Sequence, residues 1–147
     1  MANDLGHVRS IVERDSLAVV STVRPDGTAH ASVVNAGVVD DPITGEARVG
    51  LVVRGGARKL AYLRSSGRAT IVFRTGPDWV AAEGPVRLVG PEDPLEGVGA
   101  AQRARLIRSV FVAAGGTHQD WDEFDKVMAA EARTAVLVTP ERFIGNR

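Results

Sequence analysis

The chain has 147 residues, a length typical of one domain, and its 44% hydrophobic and 24% charged residues are typical of a globular protein. Its 18 basic and 18 acidic residues cancel, which disfavours a nucleic-acid binder, because such proteins usually carry a basic surplus. The absence of cysteine excludes disulfides, thiolate metal sites and a cysteine nucleophile. No apolar run approaches the roughly 18 residues that span a membrane, and the N-terminal segment lacks a signal peptide's apolar core, so the sequence predicts a cytoplasmic protein.

The first half of the chain predicts one helix, three strands and a second, short helix. Leu5, Val8 and Ile11 recur at helical spacing. Two apolar runs then flank Arg24-Pro25-Asp26-Gly27, a turn sequence typical of a β-hairpin. Gly55-Gly56 ends the third strand ahead of the short helix. The predicted bounds are residues 5–14, 17–23, 28–39, 47–53 and 57–65.

The second half predicts two strands, two helices and a last strand. Residues 68–74 alternate between apolar and polar, as in a half-buried strand, and a long strand follows at 79–89. Apolar residues at helical spacing predict a helix over 97–114. A capping-box pattern from Thr117 to Asp120 predicts the start of the next helix. The final strand, 134–139, precedes Pro140 and a tail.

This order of elements predicts a single, mainly β domain over residues 1–147. Six mostly consecutive strands joined by hairpin turns favour a closed antiparallel barrel with helices outside it, rather than a βαβ sheet. A small barrel fills its own interior with side chains. We therefore expect any ligand site to lie outside the barrel or at a subunit interface.

The segment Arg54-Gly55-Gly56-Ala57-Arg58-Lys59 is the strongest candidate binding motif. Its glycines permit a backbone that turns N–H groups toward an anion, and a helix N-terminus adds partial positive charge. Arg58 and Lys59 supply two full charges that can hold a phosphate. A basic, solvated loop at the start of a helix is the alternative interpretation of the same residues.

Polar side chains on the second predicted strand are further candidates. His30 and Ser32 share one face, whereas Asn35 lies on the other and needs a hydrogen-bond partner if it is buried. Asn35 can bond either a ligand ring or the backbone, and His30 can serve a cofactor or lie exposed. Trp79 can stack on a ring or pack within the fold. The three histidines have no metal-binding spacing, so the sequence predicts no metal site.

The pattern resembles the pyridoxamine 5'-phosphate oxidase-like superfamily, including its deazaflavin-dependent branch. The similarity spans nearly the whole chain, and the order and spacing of its motifs are more specific than any one of them. The segments that carry the resemblance are Leu17–Gly27, His30-Ala31-Ser32, Gly55–Leu60, Ser65–Val72, Trp79–Gly84 and Gln119–Phe124.

The resemblance implies an FMN-binding-like split β-barrel that forms a homodimer with two cofactor sites at the interface. Arg58 and Lys59 match the phosphate-binding pair, and Trp79 matches a position that the partner subunit approaches. The cofactor-binding positions that the resemblance implies are His30, Ser32, Val33, Asn35, Val52, Val53, Gly56, Ala57, Arg58, Lys59 and Trp79.

The sequence departs from the flavin oxidases at positions that change which cofactor the resemblance implies. Ala57 replaces the usual serine, and Val52-Val53 replaces a polar or aromatic pair, which favours coenzyme F420 over flavin mononucleotide (FMN). The tail ending at Arg147 lacks the arginine-containing extension that holds pyridoxine phosphate. The resemblance therefore implies hydride transfer between reduced deazaflavin and a small organic acceptor, with no catalytic side chain assigned. An FMN-dependent oxidoreductase, a non-catalytic F420 or flavin carrier, and a haem- or flavin-sensing module are the alternatives.

Overall fold

The structure, a computed structural model, describes residues 2–147 as seven strands and four helices. The strands are β1 (Leu17–Val23), β2 (Ala29–Asp40), β3 (Ala47–Val53), β4 (Arg68–Thr75), β5 (Asp78–Val89), β6 (Thr134–Val138) and β7 (Arg142–Gly145). The helices are α1 (Leu5–Val12), α2 (Arg58–Ser66), α3 (Ala100–Ala113) and α4 (Trp121–Ala130). No helix within residues 2–147 is long and apolar enough to cross a bilayer.

Six strands form a closed antiparallel barrel in the order β1-β2-β3-β6-β5-β4, and β4 pairs with β1 to complete the ring. Strand β5 pairs with β4 along one edge. On its other edge, β5 pairs first with β7 and then with β6. The predicted six-stranded antiparallel barrel with outer helices is therefore confirmed.

Two elements differ from the sequence prediction for reasons that strand pairing and helix capping explain, and α3 begins at Ala100 rather than at residue 97. Residues 142–145, expected to be part of a tail, form β7, and Phe143 of this strand packs against the barrel core. A four-residue strand is too short for a clear alternating pattern, so its pairing with β5 decides its conformation. Helix α4 begins at Trp121, later than predicted from Thr117, because the Asp120 carboxylate accepts the Glu123 N–H at 3.1 Å and caps the helix there.

Two apolar cores share the barrel wall. Val136 and Val138 of β6 point into the barrel core, whereas Ala135 and Leu137 point outward to the core beneath α3 and α4. This alternation explains why every residue of β6 is buried. Helices α3 and α4 therefore cover one outer face of the barrel.

Gly37 determines how closely α3 approaches β2. A Cβ atom at this position would lie 2.1 Å from the carbonyl oxygen of Ala113, so only glycine allows the contact. The contact holds the C-terminal end of α3 against β2 and next to the loop that follows β3.

Candidate functional site

A cavity of about 520 Å³ lies between the barrel and the ends of α3 and α4. This volume lies within the range of small-molecule sites. Strands β2 and β3, the start of α2, and the connections on either side of α4 contribute to its wall. Its larger apolar side chains are Val34, Val52, Val53, Val110, Phe111 and Met128.

A larger but more open depression, of about 850 Å³, lies along α3 near the turn between β2 and β3. Its wall includes Asp40 and Arg105 but none of the site residues predicted from the sequence. The smaller cavity is therefore the candidate functional site, because it contains the predicted residues and is better enclosed.

The β3–α2 loop forms one end of this cavity. Gly55 donates its N–H to the Glu131 carbonyl at 3.0 Å, which ties the loop to the end of α4. Gly56 has a positive φ of 82°, and Ala57 precedes α2 without a side-chain cap. Within residues 2–147, the N–H groups of Gly56, Arg58 and Lys59 have no protein acceptor. The loop therefore presents unpaired donors at a helix N-terminus, as anion sites do.

Lys59 places a positive charge in the cavity wall. Its ammonium group donates a 2.8 Å hydrogen bond to Ser32 Oγ, and the side chain is half-buried. Burial lowers the pKa of Lys59 below its ordinary value of 10.5, since the charged form loses hydration. No carboxylate in the described chain forms an ion pair with it. The charge of Lys59 is therefore left for a ligand to neutralise.

The other cations of the cavity differ from Lys59. Arg133 makes two short contacts with Glu131 Oε1, at 2.9 and 3.0 Å, and Arg54 lies 4.0 Å from the other oxygen of that carboxylate. Glu131 thus partly neutralises both arginines. No aspartate or glutamate lines the cavity itself within the described residues, so its wall is net positive.

The structure brings five predicted residues together in the cavity wall: Asn35, Val52, Val53, Ala57 and Lys59. Asn35 is exposed, so the burial under which it would need a partner is not found, and its side-chain oxygen accepts the Ser16 hydroxyl at 3.1 Å. Ser32 contacts the site only through Lys59.

The other predicted residues lie outside the cavity wall. Gly56 and Arg58 are exposed at the loop, and Val33 is exposed on β2 next to Val34 of the cavity wall. The His30 ring packs against Tyr62, with 5.4 Å between ring centroids. Trp79 lies at the start of β5, where its backbone N–H donates to Asn146 Oδ1.

The sequence did not predict the part of the cavity wall that comes from α3, from α4 and from Arg133 after α4. Phe111, Met128 and Arg133 line the cavity, yet Phe111 and Met128 have the helical spacing of ordinary core residues. Nothing local marks Arg133 as a site residue. Their common location follows only from the packing of α3 and α4 on the barrel.

The comparisons with known proteins agree with this fold. The family model for pyridoxamine 5'-phosphate oxidase matches residues 5–145. No curated protein matches the chain significantly.

Solved structures share the architecture at low sequence identity. A conserved hypothetical protein from Mycobacterium tuberculosis has a TM-score of 0.70 and 20% identity, with 99% of this chain and 84% of that chain covered. An F420 reductase has a TM-score of 0.61 and 16% identity, with 92% and 94% covered. HutZ, a heme storage protein from Vibrio cholerae, has a TM-score of 0.60 and 12% identity, with 99% and 95% covered. At these identities the likeness shows the fold alone.

The family match extends over nearly the whole chain and through all seven strands, from α1 to β7. It also includes the β3–α2 loop and Lys59, on which the cavity depends. The chain therefore belongs to the pyridoxamine 5'-phosphate oxidase family, with the split-barrel fold of that family.

Proposed function

We propose that this protein is an F420-dependent oxidoreductase that binds its coenzyme in the 520 Å³ cavity. The observation that carries the proposal is the half-buried ammonium group of Lys59, which has no carboxylate partner in the described chain and belongs to the same loop–helix junction as the unpaired N–H groups. This arrangement suits a phosphate group. When bound, the deazaflavin would supply hydride transfer to or from a small conjugated organic acceptor.

The cavity wall also suits the remainder of such a coenzyme. Val34, Val52 and Phe111 offer an apolar surface for a planar ring. Asn35 uses its side-chain oxygen to accept the Ser16 hydroxyl, and its amide NH₂ has no acceptor within residues 2–147. That group can donate to a ring heteroatom.

The side chains of the cavity bind and position the proposed coenzyme, and we assign a proton-transfer step to none of them. Ser32 holds the Lys59 ammonium group in place, and α3 and α4 reduce the access of water. No carboxylate or imidazole lines the cavity in the described part of the chain, so we assign proton delivery to water. The side chains of Val52 and Val53 offer no hydrogen bond to a ribityl chain or its phosphate, which disfavours tight binding of FMN, and we favour F420 because its larger phosphorylated tail can make further contacts along the same groove.

We further propose that the protein acts as a homodimer. Leu17, Val19 and Val33 are 52%, 38% and 66% exposed, and Val19 pairs directly with Val33 across β1 and β2. An exposed apolar patch of this kind is typical of a protein–protein interface. Leu17 pairs with Asn35 at the rim of the cavity, so a second copy on this face would lie beside the bound coenzyme.

Titration with F420 and, separately, with FMN tests the cofactor assignment by tryptophan fluorescence. The ring of Trp121 lies 6.2 Å from that of Phe111 in the cavity wall, whereas Trp79 lies at the start of β5. We expect F420 to quench the fluorescence at micromolar concentration, mainly through Trp121. Trp121→Phe should remove most of the quenching, and Trp79→Phe measures the part that arises from the other tryptophan. Absence of binding by both cofactors would disprove the proposal, and tighter binding of FMN would reassign the cofactor.

A second measurement separates an enzyme from a carrier. We expect the protein to speed the reoxidation of reduced F420 by at least one of a panel of conjugated acceptors, compared with the same mixture without protein. Tight binding without any turnover across the panel, even with the reduced coenzyme regenerated, would instead indicate a non-catalytic carrier.

A further inference from the structure

A second cavity, of about 290 Å³, lies between α3 and α4 and is separate from the one proposed for the coenzyme. Met128 and Arg133 line both cavities, so the two adjoin at these residues. Neither the family match nor the coenzyme proposal assigns a ligand to this space.

The cavity exists because small side chains face each other across the two helices. Ala100, Ala104 and Ile107 lie on one face of α3, and Met128 and Ala129 contribute the facing side of α4. Alanine at these positions leaves open the volume that leucine would fill. The result is a space with an apolar floor close to the lower size limit of small-molecule sites.

Two arginines give this apolar space a positive charge. Arg103 is half-buried, and its guanidinium makes no hydrogen bond or ion pair within residues 2–147. Arg133 contacts only one oxygen of Glu131, which leaves donors of its guanidinium free. Asp125 also lines the cavity, but Arg108 already binds both of its carboxylate oxygens.

We infer that the α3–α4 cavity binds a small organic acid. Its carboxylate would pair with Arg103 and Arg133, and its apolar part would lie on Ile107 and Met128. A guanidinium binds a carboxylate in a forked geometry, which gives this class of ligand an advantage over neutral molecules of the same shape. Because Met128 and Arg133 belong to both walls, the acid would lie next to the proposed coenzyme site.

The methyl group of Met128 is a direct probe, because the chain has only two methionines and the other is Met1. Protein labelled with ¹³C at the methionine methyl groups is titrated with benzoate, with the neutral analogue benzamide, and with sodium phosphate at matched ionic strength. We expect a saturable shift of the Met128 signal with benzoate only. An equal response to benzamide or to phosphate would overturn the inference.

Variants locate the ligand. Arg103→Gln removes one charge-assisted contact and should weaken benzoate binding about tenfold or more. Arg105→Gln is the matched control, since Arg105 is on the same helix but lines the open depression instead. Ala104→Leu keeps the charges, fills the cavity and should abolish the shift. Unchanged affinity in both Arg103→Gln and Ala104→Leu would place benzoate elsewhere and refute the site. The titration contains no redox coenzyme, so its failure leaves the coenzyme proposal intact.

Discussion

Lys59 illustrates how a single residue connects the fold with the proposed function. Its burial disfavours the charged form, and in the described chain only the Ser32 hydroxyl offsets part of that cost. A bound phosphate would supply the missing counter-charge. The same residue therefore costs stability in the free protein and would contribute affinity in the proposed complex.

Replacing Lys59 with alanine tests this role. Loss of a charge-assisted contact costs roughly 1.5–3 kcal/mol, so F420 affinity should fall about ten- to hundredfold. Lys126→Ala is the matched control, because Lys126 is the only other lysine and is exposed on α4. Arg58→Ala should have a smaller effect than Lys59→Ala, since Arg58 is exposed and outside the cavity wall. Equal affinities for wild type and Lys59→Ala in a fluorescence titration would remove the phosphate assignment.

Asp78 is a residue whose charge contributes to stability against acid. The hydrogen bond from buried His7 and a second from Arg14 lower the pKa of Asp78 from 3.8 to about 2. A carboxylate with a lowered pKa stabilises the folded state above its unfolded value, 3.8, and this stabilisation is lost as the pH falls toward 2.

We therefore expect Asp78→Asn to lower the free energy of unfolding near neutral pH. The difference from wild type should shrink at about pH 2.5, where much of the wild-type carboxylate is protonated. Urea denaturation at the two pH values measures the effect. Asp40→Asn is the control, because Asp40 is exposed and makes no ion pair within residues 2–147. A difference that stays constant with pH would contradict the assigned role of the Asp78 charge.

Among the elements, the β3–α2 loop depends on a close contact with the turn that follows α4. A Cβ atom at Gly55 would lie 2.6 Å from the Cβ of Ala132 and 2.8 Å from its carbonyl oxygen. Ala132 itself has a φ of 50°, the one positive value at a non-glycine position in the described chain. The position of the loop is therefore coupled to the position of α4.

Gly55→Ala should force these two turns apart. We expect a loss of about 1–3 kcal/mol in stability, as in other overpacked sites, together with weaker F420 binding. Thermal denaturation and the fluorescence titration measure the two effects. Gly27→Asn is the control, because space is open around Gly27, asparagine is among the residues that visit a positive φ such as its 88°, and the β1–β2 turn is outside the cavity wall. A Gly55→Ala protein with wild-type stability and affinity would show that the close contact is unimportant.

At the scale of the whole molecule, the exposed face of β1 and β2 is where we propose that a second copy of the chain packs. A glutamate at position 33 would place a charge in the proposed apolar interface, which is costly without a partner. Val33→Glu should convert the expected dimer to a monomer in sedimentation experiments and weaken F420 binding. Ile43→Glu, at a position that is 51% exposed in the β2–β3 turn, should leave both unchanged. A wild-type monomer would refute the dimer directly.

Most of the barrel follows from local sequence patterns. Three of its features depend only on neighbouring residues and were therefore predictable from the sequence. These are the alternation in β4, the Arg24–Gly27 turn and the glycines after β3. The β3–α2 loop and Lys59 were predictable for the same reason, as a basic segment at the start of a helix. The short β7 and the start of α4 were not, because pairing with β5 and the cap at Asp120 decide them.

The sequence by itself determined an antiparallel barrel and a basic helix start, since both depend on the order and spacing of nearby residues. Only the tertiary structure decided that Lys59 lies half-buried against Ser32 and faces Phe111, Met128 and Arg133. Those residues are 52, 69 and 74 positions away from Lys59 along the chain. Their proximity depends on how α3 and α4 pack on the barrel, which local patterns do not encode.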